Sequence, residues 1–178
     1  VESTTAAGYL FAPYTYYSAY HQESAAWNPR LEFRDGAALD SEVGKWSRVC
    51  PSQFVGLAES YIPEMLRELP VDAVWVDIVT SGSVRECAHP DHPMSRQDDI
   101  AARRALYEYL RRQNLVIGSE GHKDWIFPLT DFAEGPGPRG TGIDGIGIRT
   151  PLLPLVYHDA LVSYTFCGDS YNAQVLGG

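Results

Sequence analysis

"SRQDDIAARRALYEYLRRQNLVIGSEG", residues 95–121, decides how the chain is read. Ser95 stands where a helix N-cap belongs, with Asp98 at the N3 position. Acidic residues occupy the first turn and Arg111 and Arg112 the last, the arrangement that suits the helix dipole. Ile100, Leu106, Tyr107 and Leu110 recur at helical spacing and supply one apolar face. Asn114 ends the helix, and "LVIGS" (115–119) follows at once as a buried strand. A helix running almost directly into an apolar strand is half of a βα unit.

Working outward, the same alternation recurs. "VDAVWVDIVTSG" (71–82) is Val- and Ile-rich, short, and ends in a turn, which predicts a second buried strand. "SQFVGLAESYIPEMLRELP" (52–70) has helical spacing through Leu57, Ala58, Tyr61, Ile62 and Met65, with a kink or a second helix start expected at Pro63. "GYLFAPY" (8–14) reads as a short strand ending at Pro13. Residues 21–52 show no sustained period and read as a long loop. The glycine-rich 134–147 stretch reads as a flexible loop and lacks the G-K-[ST] and strand-turn-helix frame of a phosphate-binding loop. "RTPLLPLVYHDALVSYTF" (149–166) is expected to give a strand at 152–157 and a helix after it. Alternating β and α elements imply an α/β fold, a parallel sheet of βα units covered by helices. A complete barrel needs about 250 residues. The 178 residues therefore predict a single domain over 1–178 that is part of a larger (β/α)8 TIM-type barrel. The chain opens on Val1 with no leader visible, so a cytoplasmic and a secreted setting both remain open.

Composition narrows the classes. Apolar residues make up 44% and charged residues 21%, as in ordinary globular domains. The net charge of −9 argues against a nucleic-acid partner, which calls for a basic patch. No apolar run approaches the roughly 18–20 residues of a membrane span. The three cysteines, Cys50, Cys87 and Cys167, are odd in number and widely spaced, with no C-x-x-C pair. That pattern predicts buried thiols rather than a disulfide framework or a structural zinc site. Aromatic residues crowd the first 46 positions. Rings with polar tips suit a sugar face as well as a core edge or interface, and Tyr14 is the substrate-contact candidate among them.

Two strands share an oddity. "AVWVDIV" places Asp77 near the end of an apolar run, and "LVIGSEG" places Glu120 just past one. In parallel βα architectures the strand C-termini open on one face, and that face carries the chemistry. Neighbouring strands lie about 4.8 Å apart, which brings two such carboxyls within reach of the roughly 5–5.5 Å separation of retaining glycosidases. An Asp held on a strand suits the nucleophile, and a longer Glu on a glycine-flanked turn suits the acid/base. Gly118 and Gly121 are expected to let the backbone turn and to leave room for a sugar. On pattern alone, an Asp that caps a turn or pairs with an Arg is an equally ordinary reading.

"DAVWVDIVTSG", "CAHPDHPMSRQDD", "VIGSEGHKDW" and "PLLPLVYHD" together resemble the catalytic barrel of retaining α-N-acetylgalactosaminidases, glycoside hydrolase families 129 and 101. The resemblance covers most of residues 8–172, and the Asp-to-Glu spacing is closer to family 129. It implies that Asp77 is the nucleophile and Glu120 the acid/base, that a carbohydrate or glycoconjugate is the substrate, and that no cofactor is needed.

Other polar groups are weaker signals. "CAHPDHP" gathers Cys87, His89, Asp91 and His92, but it lacks the helical frame of a zinc protease and a second ligand cluster. Sugar-hydroxyl binding by His89 or His92, or plain loop structure, fits better, so no metal is expected. His158 follows "LLPLVY" and by the rim argument faces the pocket. Trp125 suits a sugar platform or the core equally. No G-x-S-x-G elbow supports a serine hydrolase. Two alternatives to a glycosidase stand: a non-catalytic carbohydrate-binding or degenerate barrel, and a metal-dependent hydrolase built on His89, His92 and Asp77.

Overall fold

A computed structural model describes residues 1–35, 38–39, 41–42, 45–121, 123–134 and 152–164. In chain order the helices are α1 (Glu2–Ala6), α2 (Phe54–Glu68), α3 (Arg96–Arg112) and α4 (Leu152–Tyr157). The strands are β1 (Tyr14–Tyr16), β2 (Ala19–His21), β3 (Arg34–Asp35), β4 (Ala38–Leu39), β5 (Ser41–Glu42), β6 (Trp46–Arg48), β7 (Ala73–Asp77), β8 (Val116–Glu120), β9 (Phe132–Glu134) and β10 (Val162–Tyr164). Among the described residues, no helix is long and apolar enough to cross a membrane.

The main sheet has five parallel strands in the order β1-β7-β8-β9-β10. Each strand lies beside its predecessor in that series, and the order never reverses. That is the singly wound order of consecutive barrel units, whereas doubly wound sheets reverse at a switch point. The fold is α/β and corresponds to part of a (β/α) barrel. Val74, Val76 and Ile117 are fully buried on one face of the sheet, with Phe54, Ala58 and Ile62 of α2 and Leu106, Tyr107 and Leu110 of α3 in the same core. The alternate residues of the same strands face the other side. There Trp75 meets the rings of Phe132 at 5.9 Å and Tyr164 at 6.3 Å.

The helix α3 starts as its sequence requires. The Asp98 N–H donates to Ser95 Oγ (3.3 Å), and the Ser95 N–H donates to Asp98 Oδ2 (2.9 Å), closing a capping box. The Ser95 hydroxyl also donates to Asp98 Oδ2 (2.7 Å), and this bond together with that from the Ser95 N–H holds the Asp98 carboxyl below its usual pKa. α2 runs as one helix through Pro63 instead of restarting there.

Three expectations are corrected. β1 begins after Pro13 rather than ending at it; proline has no N–H for the ladder, but its carbonyl still accepts from the Trp75 N–H (2.9 Å). Residues 21–52 are not one loop: β2, β6 and β5 form a small antiparallel sheet, and β3 pairs with β4. Strands of two or three residues are too short to show alternation. Leu152–Tyr157 is a helix, and the strand comes after it at β10, the reverse of the expected order. A six-residue apolar run has no readable period, and a proline is tolerated in the first turn of a helix. Residues 135–147 of the glycine-rich stretch, and Cys167, lie outside the described residues.

Candidate active site

The C-terminal ends of the five strands form one cross-sheet row. Tyr16 lies opposite Asp77, Glu120 opposite Glu134, and Glu134 opposite Tyr164. The register pairs Val76 with Ser119, the residues that precede Asp77 and Glu120. Asp77 and Glu120 are the last residues of adjacent parallel strands, both half-buried. Neighbouring strands lie about 4.8 Å apart, and alternation turns both side chains to the face away from the helices.

Each carboxylate is held by a hydroxyl. The Tyr14 hydroxyl donates to Asp77 Oδ2 at 2.5 Å. Desolvation of the hydroxyl against Asp77, and the charge of that carboxylate, push the Tyr14 phenol well above its usual pKa, and Glu120 adds to the same effect. Tyr14 is 62% exposed, and its ring stacks on Tyr16 at 6.3 Å. On the other strand, the Ser81 hydroxyl donates to Glu120 Oε2 at 2.9 Å.

The backbone beneath the row is fixed in unusual ways. Ile78, directly after Asp77, has φ +62°, a left-handed value that is a true outlier for a β-branched residue. The Val79 N–H donates to the Asp77 carbonyl (2.7 Å), closing a γ-turn of the strained hand. Arg103 of α3 holds the segment that follows. Its guanidinium donates to the carbonyls of Val79 (2.7 Å), Gly82 (3.1 Å) and Ser83 (2.9 Å), and it pairs with buried Asp99 through contacts of 2.6 and 3.0 Å. Behind Glu120, the buried Ser119 hydroxyl donates to the Val76 carbonyl (2.9 Å) and is in hydrogen-bond contact with Tyr107 Oη (2.7 Å) and Thr80 Oγ1 (2.8 Å). Thr80 also bonds the Glu120 carbonyl. A cavity of about 180 Å³ opens beside the row, with Tyr16, Ile78, Arg48, Arg85 and Arg103 among its lining residues.

The glycines serve tasks other than leaving room for a sugar. Gly118 lies mid-strand, and a Cβ there would meet the Phe132 ring at 2.1 Å, so the ring occupies that space. Gly121 has φ +64° and would place a Cβ 2.9 Å from Ser81 Cβ. It permits the turn and lets Ser81 approach Glu120.

The remaining sequence candidates lie elsewhere. Trp125 packs against the core shared by α2 and α3, and its carbonyl accepts from Arg104. His158 is exposed in the turn between α4 and β10, at the N-terminal edge of the sheet beside Asp131, which precedes β9. The strand expected at 152–157 is absent, so the rim argument for the residue that follows it falls. His89 is buried and His92 half-buried, their rings stacked at 3.9 Å. Sequence reasoning did not single out Glu134, Ser81 or Arg103. "DFAEG" repeats the strand-end carboxylate of "GSEG" and is the signal that could have found Glu134.

Comparison with protein-family models and with curated proteins returned no match. Solved structures do match. The chain is similar to the alpha-N-acetylgalactosaminidase NagBb from Bifidobacterium bifidum. Against its ligand-free form the TM-score is 0.77 at 26% identity, and against its GalNAc complex 0.78 at 24% identity. A quadruple mutant of the same protein matches at 0.78 and 26%. These matches cover 90% of the present chain and 28% of the length of NagBb. The likeness supports a related glycosidase-type barrel of which the chain spans a part.

Proposed function

We propose that the chain is the catalytic-rim portion of a retaining glycosidase acting on α-linked N-acetylgalactosamine or a similar glycoside. One observation carries the reading: Asp77 and Glu120 end adjacent parallel strands in register, each with a hydroxyl donor. Asp77 attacks the anomeric carbon and forms an ester as the glycosidic bond breaks. Glu120 gives its proton to the leaving oxygen, then takes one from the water that hydrolyses the ester, and the sugar leaves with its configuration retained. Tyr14 holds Asp77 Oδ2, which leaves Oδ1 to attack, and its exposed ring offers a sugar contact. The choice of N-acetylgalactosamine, and of a family 129-type enzyme, draws on the sequence resemblance and the likeness to NagBb.

The metal-hydrolase alternative loses support, because His92 and Asp77 do not turn to a common point: His92 Nδ1 faces Cys87 Sγ, while Asp77 is held by Tyr14. The test uses the full-length protein and aryl α-glycosides, with product stereochemistry read by NMR. Asp77→Asn is expected to abolish turnover on every substrate. Glu120→Gln should abolish it for poor leaving groups and largely spare activated ones, which need no proton. Near-normal turnover by Asp77→Asn, or an inverted product, overturns the assignment.

A further inference from the structure

A second cluster of reactive side chains lies outside the carboxylate row. Sγ of Cys50, Sγ of Cys87 and a ring nitrogen of His92 all fall within 4.8 Å of one another. Cys50 precedes the turn into α2, whereas Cys87 and His92 belong to the loop between β7 and α3. No sequence spacing links them; the fold does. Both cysteines are buried, in a small core with Phe33 and Met94.

We propose that Cys50, Cys87 and His92 bind a zinc ion that ties the segment before α2 to the loop between β7 and α3. Three features of the geometry argue for a ligand set over a chance meeting of thiols. First, His92 Nε2 lies 2.8 Å from the Arg30 carbonyl. A carbonyl only accepts, so Nε2 carries the proton and Nδ1 keeps its lone pair. That nitrogen is the one facing Cys87 Sγ, at 3.9 Å. A metal-bound histidine is held in this way, its far N–H fixed by a backbone carbonyl. Second, both sulfurs accept hydrogen bonds. The Arg34 N–H donates to Cys87 Sγ (3.4 Å) and the Ser52 hydroxyl to Cys50 Sγ (3.2 Å), an arrangement that stabilises thiolates. Third, the spacing is right. Tetrahedral zinc with Zn–S near 2.3 Å and Zn–N near 2.0–2.1 Å sets sulfur and nitrogen about 3.6 Å apart, and the observed 3.9 Å closes to this with a shift of a few tenths of an ångström. The His89 ring, stacked at 3.9 Å and 3° on His92, braces the imidazole from behind. Thiolate and imidazole donors select a thiophilic d10 ion over calcium or magnesium.

Zinc binds the thiolate forms, so Zn²⁺ and two thiols give a dithiolate complex and two H⁺. Three protein donors leave a fourth position. This site does not depend on the glycosidase reading.

The experiment is metal binding by the purified, reduced protein. Zinc content by mass spectrometry is expected at one ion per chain. Cobalt substitution should give thiolate-to-metal charge-transfer absorption and tetrahedral d–d bands. Calorimetry in buffers of different ionisation enthalpy should show release of two protons per zinc. Cys87→Ser should remove the charge-transfer band; since a buried change can disturb folding, His92→Asn, on a half-exposed ring, serves as the second variant. It should lower zinc affinity by at least about tenfold with an unchanged circular dichroism spectrum. A cobalt complex without thiolate absorption, equal zinc affinity in His92→Asn, or a Cys50–Cys87 disulfide in freshly isolated protein overturns the proposal.

Discussion

Gly121→Ala isolates the contact that positions Glu120. Gly121 has φ +64°, and a Cβ built on it would lie 2.9 Å from Ser81 Cβ and 3.1 Å from Ser81 Cα. A left-handed conformation costs an L-residue about 1–2 kcal/mol. Carbon atoms settle at about 3.5–4.0 Å, so the new methyl overlaps Ser81 by roughly 0.6–1 Å. Overpacking of that size costs about 1–3 kcal/mol, and the lower unfolded-state entropy of Ala returns about 0.4–1 kcal/mol. The net expectation is a loss of about 2–4 kcal/mol, measured as a lower urea midpoint at unchanged slope. A Ser81→Gly background tests the steric part. Removing Ser81 Cβ takes away the 2.9 Å contact but leaves Ser81 Cα at 3.1 Å, so Gly121→Ala should there cost less than in the wild type, by about 0.5–1 kcal/mol. In the wild-type background Ser81 must move, and the hydrogen bond from its hydroxyl to Glu120 Oε2 is disturbed with it. A cost below about 0.5 kcal/mol, or an equal cost in both backgrounds, refutes the reasoning.

Three further outcomes follow from contacts in the same region. Arg103→Leu leaves fully buried Asp99 without its ion partner and should destabilise by about 3–5 kcal/mol in urea unfolding, while adding Asp99→Leu should recover much of that loss; a double variant no better than the single one would contradict this. Burial pushes the tyrosines up, Tyr17 to about 12 and Tyr61 and Tyr107 further, so they stay neutral in the folded state while unfolded tyrosines ionise near 10. Stability from these groups is therefore complete below pH 10 and lost as pH rises above it, and their tyrosinate absorbance should appear together with unfolding rather than before it. Tyr14→Phe removes the donor to Asp77 and, in the full-length protein, should lower kcat/KM by about ten- to a hundredfold, consistent with a hydrogen bond to a charged group of about 1.5–3 kcal/mol; unchanged kcat/KM would count against Asp77 as nucleophile.

The sequence spoke clearly where one local rule governs several residues. Ser95 and Asp98 announce a helix start because a capping box is closed within four residues. β7 and β8 are legible because buried parallel strands are continuous apolar runs. Asp77 and Glu120 stood out because each marks the end of such a run, and the sheet sets those two strands side by side. Legibility failed where pairing is non-local or elements are short. The strands between residues 19 and 48 gain order from each other across turns, not from alternation within themselves. Leu152–Tyr157 is too short to show its period, and His158 was misplaced with it. Arg103 carries no sequence signal of its importance, because its five hydrogen bonds go to one aspartate and three carbonyls that only the fold assembles. Cys50 and Cys87 illustrate the same point: 37 positions separate residues whose sulfurs meet in space.

The strained turn after β7 ties these observations together. Left-handed backbone at a β-branched residue stores about 1–3 kcal/mol and persists only where the surroundings over-determine it. Ile78 is over-determined. Its carbonyl accepts from the Gly82 N–H (2.9 Å), and the next residue's carbonyl is held by Arg103. The turn folds residues 80–82 back over the end of β8, where Thr80 reaches the Glu120 backbone and Ser81 its carboxylate. Strain at one strand end is thus the means by which the loop after Asp77 arrives at Glu120. A relaxed turn would point the loop elsewhere and leave Glu120 to solvent. The two carboxylates are coupled through four residues of backbone as well as through the register of their strands, so their separation is set twice over, by the sheet and by the turn.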